Sequence, residues 1–440
     1  MKNSAVLKEE LRQGKHSALF QDIYLDESLL EYQNRRYAEA VAKFEELFGE
    51  KEVEIYSAPG RSEVGGNHTD HQLGMVLATS INLDAIAVVS RTEGNLIRVV
   101  SEGYDMVEVD IEDLEEKAYE EGTTIALIRG VAANLKERGY KLGGFEAYIT
   151  SDVLIGAGLS SSAAFEVIIG TILSGLFNDM SISPVLIAQA GQFAENVYFG
   201  KPSGLMDQMA CSVGGLIHID FKNPEEPVVE KVPSDFEAYK YSLCIVDTKE
   251  FHDDLTEDYA EIPAEMKKVA AFFKKKVLRE VDEKEFFQQI SGLRSVLGDR
   301  PVLRALHFFE EEKRVEAQVH ALRNGEFEEF LKLVKTSGDS SFKYLQNIYT
   351  NRNVQKQAMS SAFGDIESVL GSHGVSRVHG GGFAGTIQVF VENSFVEEYR
   401  KAMDKVFGKG ACHVLKPAEA YPSRRWHEAS AHGCGWWGRR

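Results

Sequence analysis

The sequence predicts an α+β protein of two domains, and three observations lead there. Strand-type and helix-type apolar patterns mix through the first half of the 440-residue chain. A stretch from about Glu261 to Leu370 is then helical almost throughout. Near Val375–Val391 the pattern returns to strand, glycine turn and strand, which marks a second α+β unit. With 43% hydrophobic residues the chain can bury a full core, and its length fits two domains.

Taken in order, residues 1–50 read as helices, with Leu29, Tyr32, Tyr37, Val41, Phe44 and Leu47 on apolar faces. Strand patterns follow at Val53–Ala58 and Leu77–Val89, a helix at Thr124–Arg138 and a strand at Phe145–Ile149. Ala163, Ala164, Val167, Ile168, Thr171, Ile172, Gly175 and Leu176 recur at helical spacing and are small or apolar, so a buried helix follows residue 160. A helix from Pro184 to about Val197 and a turn at Gly200–Gly204 precede a strand at Gly215–Phe221. Asn223-Pro224-Glu225-Glu226-Pro227 reads as the linker. Beyond a strand at Tyr241–Asp247, the runs Lys274-Lys275-Lys276 and Glu310-Glu311-Glu312 read as solvated helix faces. A helix at Phe395–Phe407 and a strand at Ala411–Leu415 complete the pattern. The expected boundaries are 1–230, 231–416 and a tail of 417–440. That tail holds all three tryptophans, Trp426, Trp436 and Trp437, shows no periodicity, and reads as a poorly ordered extension.

Charge and cysteine usage exclude several classes. The 49 basic and 68 acidic residues give a net charge of −19, which argues against nucleic acid or an anionic membrane as principal partner. Any phosphate ligand must therefore be held locally. Cys211, Cys244, Cys412 and Cys434 lack the spacing of a zinc or redox site and read as reduced thiols. No apolar run approaches the roughly 18 residues of a membrane span, and Met1-Lys2-Asn3-Ser4 opens no signal peptide. The expectation is a cytoplasmic protein, monomeric or weakly oligomeric.

Four segments carry chemistry. Ile155-Gly156-Ala157-Gly158-Leu159-Ser160-Ser161-Ser162-Ala163 is a glycine-rich turn that empties into three hydroxyls and a helix. The glycines allow close backbone approach, and the free N–H groups and dipole at a helix start favour an anion. Neither the Walker ending nor the third glycine of the dinucleotide fingerprint is present, which favours a nucleoside triphosphate; a simple serine N-cap is the plain alternative. Second, Ala58-Pro59-Gly60-Arg61-Ser62-Glu63-Val64-Gly65-Gly66-Asn67-His68-Thr69-Asp70-His71-Gln72 gathers a cation, an amide, imidazoles and a carboxylate in what reads as one loop after a strand. Such density suits a polyol, and Asp70 can accept from two vicinal hydroxyls. A polar surface loop, or a metal site on His68, Asp70 and His71, are other readings of the same residues. Third, Gly204-Leu205-Met206-Asp207-Gln208 follows a Pro/Gly turn, with Glu195 in the helix before it; Asp207 alone could be a helix cap. Fourth, His379-Gly380-Gly381-Gly382-Phe383-Ala384-Gly385-Thr386 places four glycines in six positions between strands, which indicates close backbone approach or a tight turn.

Together and in this order, the four segments resemble those of the galacto-, homoserine, mevalonate and phosphomevalonate (GHMP) kinase superfamily, with galactokinases the nearest pattern. The resemblance spans residues 58–386. It implies a two-domain GHMP kinase fold, with a ribosomal protein S5 domain 2-like N-terminal domain and a ferredoxin-like C-terminal domain. It also implies an ATP- and Mg²⁺-dependent enzyme that phosphorylates the anomeric hydroxyl of galactose, with the active site in a cleft between the domains. Matched by position, Asp207 falls on the catalytic aspartate and Arg61 on the arginine beside it. Asn67, His68, Asp70 and Tyr259 fall on sugar-binding positions, and Gly156, Ala157, Gly158, Leu159, Ser160, Ser161 and Ser162 on the phosphate loop. Ser162 and Glu195 match the Mg²⁺-binding pair, with Ser161 an alternative. Small-molecule sugar and ATP are the implied partners.

The departures bear on substrate. Galactokinases carry glutamate where this chain has Asn67, and tyrosine where it has His71. Loss of that negative charge would tolerate a hexuronate, so a galacturonate kinase, a kinase for another galactose-configured sugar, and a non-catalytic sugar/ATP regulator stand as alternatives. His379 and Ala384 replace the usual threonine and glycine, and the family's ending after Lys416 is missing, which puts the last strand in question.

Overall fold

The computed structural model describes residues 1–154, 158–233, 235–249 and 255–418. Gly156, Ala157 and residues 419–440 of the tail lie outside the described residues. The first sheet has eight strands: β1 Lys2–Asn3, β2 Glu52–Gly65, β3 Met75–Arg91, β4 Leu96–Ser101, β5 Val107–Asp110, β6 Phe145–Ser151, β7 Leu216–Asp220 and β8 Val228–Lys231. Their order is β1-β2-β3-β6-β4-β5, with β7 paired to β3 and β8 to β7. The second sheet comprises β9 Tyr241–Asp247, β10 Gly374–Val378, β11 Thr386–Glu392 and β12 Cys412–Leu415, in the order β10-β11-β9-β12. All its pairings are antiparallel. The helices are α1 Ser4–Arg12, α2 Ser17–Tyr24, α3 Leu30–Phe48, α4 Thr124–Glu137, α5 Ser161–Phe177, α6 Pro184–Phe193, α7 Met206–Val213, α8 Thr256–Phe272, α9 Glu283–Leu297, α10 Asp299–Arg323, α11 Phe327–Ser340, α12 Ala358–Leu370 and α13 Val396–Phe407.

The period-2 alternation of β2 and β3 explains why both faces of the first sheet are covered. Val53, Ile55, Ile86 and Val88 pack against Tyr37, Val41 and Phe44 of α3. Tyr56, Ala58, Ala85, Ala87 and Val89 face the opposite way and join a larger core with Val167 and Ile168 of α5. Tyr32 and Leu47, expected on the buried stripe, are instead 39% and 37% exposed. Arg36 takes part of that stripe because it is paired: its guanidinium donates to Asp84 Oδ1 (2.7 Å), whose other oxygen accepts from Tyr24 (2.9 Å).

The second sheet follows a β-helices-β-β-α-β path, in keeping with the ferredoxin-like expectation. One of its faces packs on Ile366, Leu370, Tyr399 and Met403. Its other face contributes Leu243, Ile245, Phe390 and Leu415 to the core already containing Tyr56 and Val167. Phe330 of α11 lies edge-on to Phe390 at 5.4 Å and stacks on Phe236 at 6.1 Å. The two sheets thus share one hydrophobic core between them, while the outer face of each packs on a cluster of its own.

Four expectations are corrected. Residues 223–227 are the connection of the β7-β8 hairpin; the passage between the sheets is 232–240. The Glu310–Glu312 run is not a solvated face, since Glu311 is fully buried and the Glu312 side chain is 12% exposed. The polar segment from Ala58 is not a loop throughout, because β2 continues to Gly65 with bulges at Pro59/Arg61 and Glu63/Gly65. At the other end, β12 is present, and the chain after it lies on β3: the Asn82 amide donates to the Lys416 carbonyl (3.1 Å) and the Ala418 amide to the Ser80 carbonyl (3.2 Å). Pro417 and Ala418 are therefore packed, unlike the loose tail expected from 417 onward.

Because the core is shared, Phe330→Ala is expected to cost about 3–5 kcal/mol and to leave unfolding a single transition. Denaturant unfolding followed by fluorescence and circular dichroism checks this; two separated transitions would contradict a common core.

Candidate active site

Asp207 occupies the first turn of α7, where the helix dipole favours a carboxylate. Arg61, delivered by the bulged end of β2, meets it with both arms of the guanidinium: Nε donates to Oδ1 (2.8 Å) and Nη2 to Oδ2 (2.9 Å). Arg61 Nη1 donates to the Gly158 carbonyl and Ser160 Oγ to Asp207 Oδ2. One ion pair thus ties the strand, the phosphate loop and α7 together. Burial alone would raise the Asp207 pKa, but the charge and hydrogen bonds of Arg61, with that of Ser160, outweigh it and bring the carboxyl down to about 2. The Arg61 side chain is 6% exposed and that of Asp207 34%, so the carboxylate has an open side.

The loop takes its path from two tight approaches. Gly60 passes so near the Leu159 carbonyl that a Cβ would lie 2.9 Å from it, and Gly158 has a left-handed φ of +65°. Ser160 is also left-handed, at φ 59°, and turns the chain into α5, leaving Ser160, Ser161 and Ser162 half-buried around the helix start. Beside them, Ser162 Oγ lies 3.5 Å from Glu195 Oε1. The helix expected to run to Val197 ends as an α-helix at Phe193 and continues as a π turn, Ala194–Tyr198, which carries Glu195. Glu195 accepts from Lys201 (2.7 Å) and from Gln208 (2.9 Å), whose amide also donates to the fully buried Glu166 (2.9 Å). Burial and the nearby Glu195 charge push the Glu166 pKa well above the usual carboxylate range.

The strap between β2 and β3 carries the remaining candidates. Asp70 packs against Gly204: a Cβ there would lie 1.8 Å from Asp70 Oδ2, which explains the glycine before Asp207. His68 donates from Nε2 to the Gly381 carbonyl (3.0 Å), and burial with the neighbouring His71 lowers its pKa to about 3, so the ring is neutral. Tyr259 of α8 donates to the Gly382 carbonyl (2.9 Å) and lies edge-on to Phe383. Asn67 is brought to the same turn but is fully buried, with its amide held by protein groups. His379 is also interior, bonded to Ser62 (3.1 Å) and Thr386 (3.1 Å) against Gly158.

Helix α10 fastens the strap from behind. His307 Nε2 donates to the Asn67 carbonyl (3.0 Å), Glu311 accepts from the Gly66 amide (3.1 Å), and Glu312 accepts from the Met75 amide (2.6 Å). Burial raises both carboxyls, yet Arg314 and other neighbouring cations hold Glu311 down at about 2, whereas Glu312 rises to about 7. These residues, with Glu63, Lys201, Asn347 and Arg377, were not singled out from sequence. The i, i+4 spacing of His307 and Glu311 was the available signal, masked by reading the acidic run as solvated.

Comparison with known proteins bears on the family and the fold. Residues 42–91 match the galactokinase galactose-binding signature and residues 126–215 the GHMP kinase N-terminal domain. The fold and these matches define a kinase of the GHMP class. The crystal structure of Lactococcus lactis galactokinase complexed with galactose superposes with a TM-score of 0.76 at 24% identity, covering 89% of this chain and 100% of that one. Methanococcus jannaschii mevalonate kinase shares the fold at a TM-score of 0.58 and 17% identity, covering 84% and 99%. A galactokinase of Streptomyces coelicolor is 31% identical over 389 residues, 87% of this chain and 95% of the relative. One from Lactobacillus helveticus is 29% identical, covering 84% and 93%. The chain belongs to the galactokinase family.

Gly204→Ala is expected to displace the Asp70 carboxylate and lower kcat/KM about 100-fold, the cost of an ångström-scale misplacement, with folding retained. Steady-state kinetics beside a melting curve checks it.

Proposed function

We propose that this protein is an ATP-dependent kinase that phosphorylates the anomeric C1 hydroxyl of galactose, giving galactose 1-phosphate. The observation that carries the reading is the bidentate Arg61–Asp207 pair at the junction of the phosphate loop and the sugar strap. In this reading Asp207 orients the C1 hydroxyl and accepts its proton as the phosphoryl group transfers. A carboxylate held near pKa 2 is a weak base, so its main contribution is to fix the attacking oxygen, and Arg61 offsets charge on the transferring group. Asp70 offers carboxylate oxygens to vicinal hydroxyls, and His68 and Tyr259 lie on the same wall. The start of α5 and Ser160–Ser162 would cradle the triphosphate together with Gly156–Leu159.

Ser162 and Glu195 fit a Mg²⁺ ion chemically: a hydroxyl and a nearly buried carboxylate converge beside the loop, and Glu195 already holds a cationic partner in Lys201. When bound, Mg²⁺ supplies charge neutralisation on the phosphates. The acidic-sugar alternative rested on Asn67, which is interior with its amide held by protein groups, and on the His71-Gln72 continuation. We further propose two domains divided just past the expected 230/231 boundary, within the 232–240 passage, since Lys231 still belongs to β8. We place the protein in the cytoplasm as a monomer or weak oligomer, in keeping with the free buried thiols of Cys211, Cys244 and Cys412.

A coupled ADP-release assay over a sugar panel tests the function: galactose should be turned over in preference to galacturonate, and the reverse order would refute it. Asp207→Asn should lower kcat by about 10²–10⁴-fold with ATP affinity retained. For pH, the wild-type Asp207 stays ionised far below neutrality. Arg61→Met removes the charge that lowers its pKa and leaves the burial that raises it. The acid limb of the variant's residual kcat/KM–pH profile should therefore move upward in pH; an unmoved limb would sever Asp207 from Arg61.

A further inference from the structure

A side-chain amide has two donor and two acceptor positions, and those of Asn67 are all taken within the protein. Nδ2 donates to Glu63 Oε1 (3.1 Å) and to the Gly380 carbonyl (2.7 Å). Oδ1 accepts from Asn347 Nδ2 (2.9 Å) and Ser341 Oγ (3.2 Å). The residue has no exposed surface, so nothing remains to offer a hydroxyl in the cleft. Glu63 is itself fixed by Arg377 across the sheets, at 2.5 Å and with both side chains buried.

The glycine turn shows what this network acts on. Its three successive carbonyls are each occupied: Gly380 by Asn67, Gly381 by His68 (3.0 Å) and Asn347 (3.1 Å), and Gly382 by Tyr259 (2.9 Å). Asn67 therefore anchors the first position of a turn whose next two positions hold side chains of the proposed sugar wall. The orientation of its amide is dictated by Glu63, because a carboxylate can only accept.

We propose that Glu63 and Asn67 form a positioning pair for sugar recognition, in which Asn67 makes no contact with the sugar and instead sets the Gly380–Gly382 turn, and through it His68 and Tyr259. The inference rests on the sugar-kinase reading. It also implies that Asn67→Glu, which would set two buried carboxylates side by side, is tolerated only when Glu63 is neutralised as well.

The test is a cycle of variant against substrate. Wild type, Asn67→Ala, Glu63→Gln and the double variant are assayed with the hexose that wild type turns over best in a panel, and with its 6-deoxy counterpart. Asn67→Ala should raise KM for both sugars by the same factor, about 10–100-fold, with kcat and the KM for ATP unchanged. The double variant should be no worse than the poorer single one, and Glu63→Gln/Asn67→Glu should outperform Asn67→Glu alone. Ser341→Ala, a milder change with less risk to folding, should raise sugar KM in the same pattern. The proposal is overturned if Asn67→Ala abolishes the penalty for the missing hydroxyl, if the two single effects multiply, or if Ser341→Ala leaves sugar KM untouched. A best hexose other than galactose would refute the galactose reading while the cycle still judges the pair; no hexose turnover at all would overturn both.

Discussion

Most of the site depends on the buried guanidinium of Arg61. Three of its nitrogens are committed, two to Asp207 and one to the Gly158 carbonyl, so the bulged end of β2, the start of α7 and the phosphate loop must arrive together. Removing Asp207 leaves the Arg61 charge buried and uncompensated, which is strongly destabilising, whereas the Asp207 carboxylate keeps an exposed side when Arg61 is removed. The requirement runs outward. Gly60 is needed for the strand to approach Leu159, and Gly204 for α7 to start against Asp70. In the proposed mechanism the same pair supplies the chemistry, because it keeps a carboxylate ionised while leaving one side of it exposed.

A second layer of buried polar groups keeps that junction in place. Gln208, next to Asp207 in the chain, uses its amide to hold Glu195 and Glu166 apart and oriented. Lys201 closes the exposed side of Glu195. On the sugar side, α10 grips the strap near both ends through His307, Glu311 and Glu312, and Arg377 reaches from β10 to Glu63. The proposed sugar site thus draws on groups from both sheets, in line with the core they share.

Much of this was legible in the sequence, for identifiable reasons. Helix periodicity placed α5, and glycine spacing placed both turns, because each constraint lies within a few neighbouring residues. Local patterns could not show that the chain from Arg61 to Glu63 is still strand, since bulges break the alternation that marks one. Nor could they show that Glu63 meets Arg377, a partner 314 residues away. Asn67 was read as a sugar ligand because it falls on a sugar-binding position of the family; its four protein partners, three of them distant in sequence, could not be seen from that match. The acidic run at Glu310 failed for the converse reason: consecutive charges on a helix face different directions, and Glu311 and Glu312 turn inward toward backbone amides.

The central claim is that Arg61 and Asp207 act as one unit rather than as two independent contributors. A double-mutant cycle on kcat/KM, using Arg61→Met, Asp207→Asn and their combination with galactose and ATP, measures this most directly. Interdependence predicts that the double variant is no slower than the worse single variant, so that the logarithmic losses are strongly non-additive. Losses that add in full would contradict the account, because each residue would then contribute without the other.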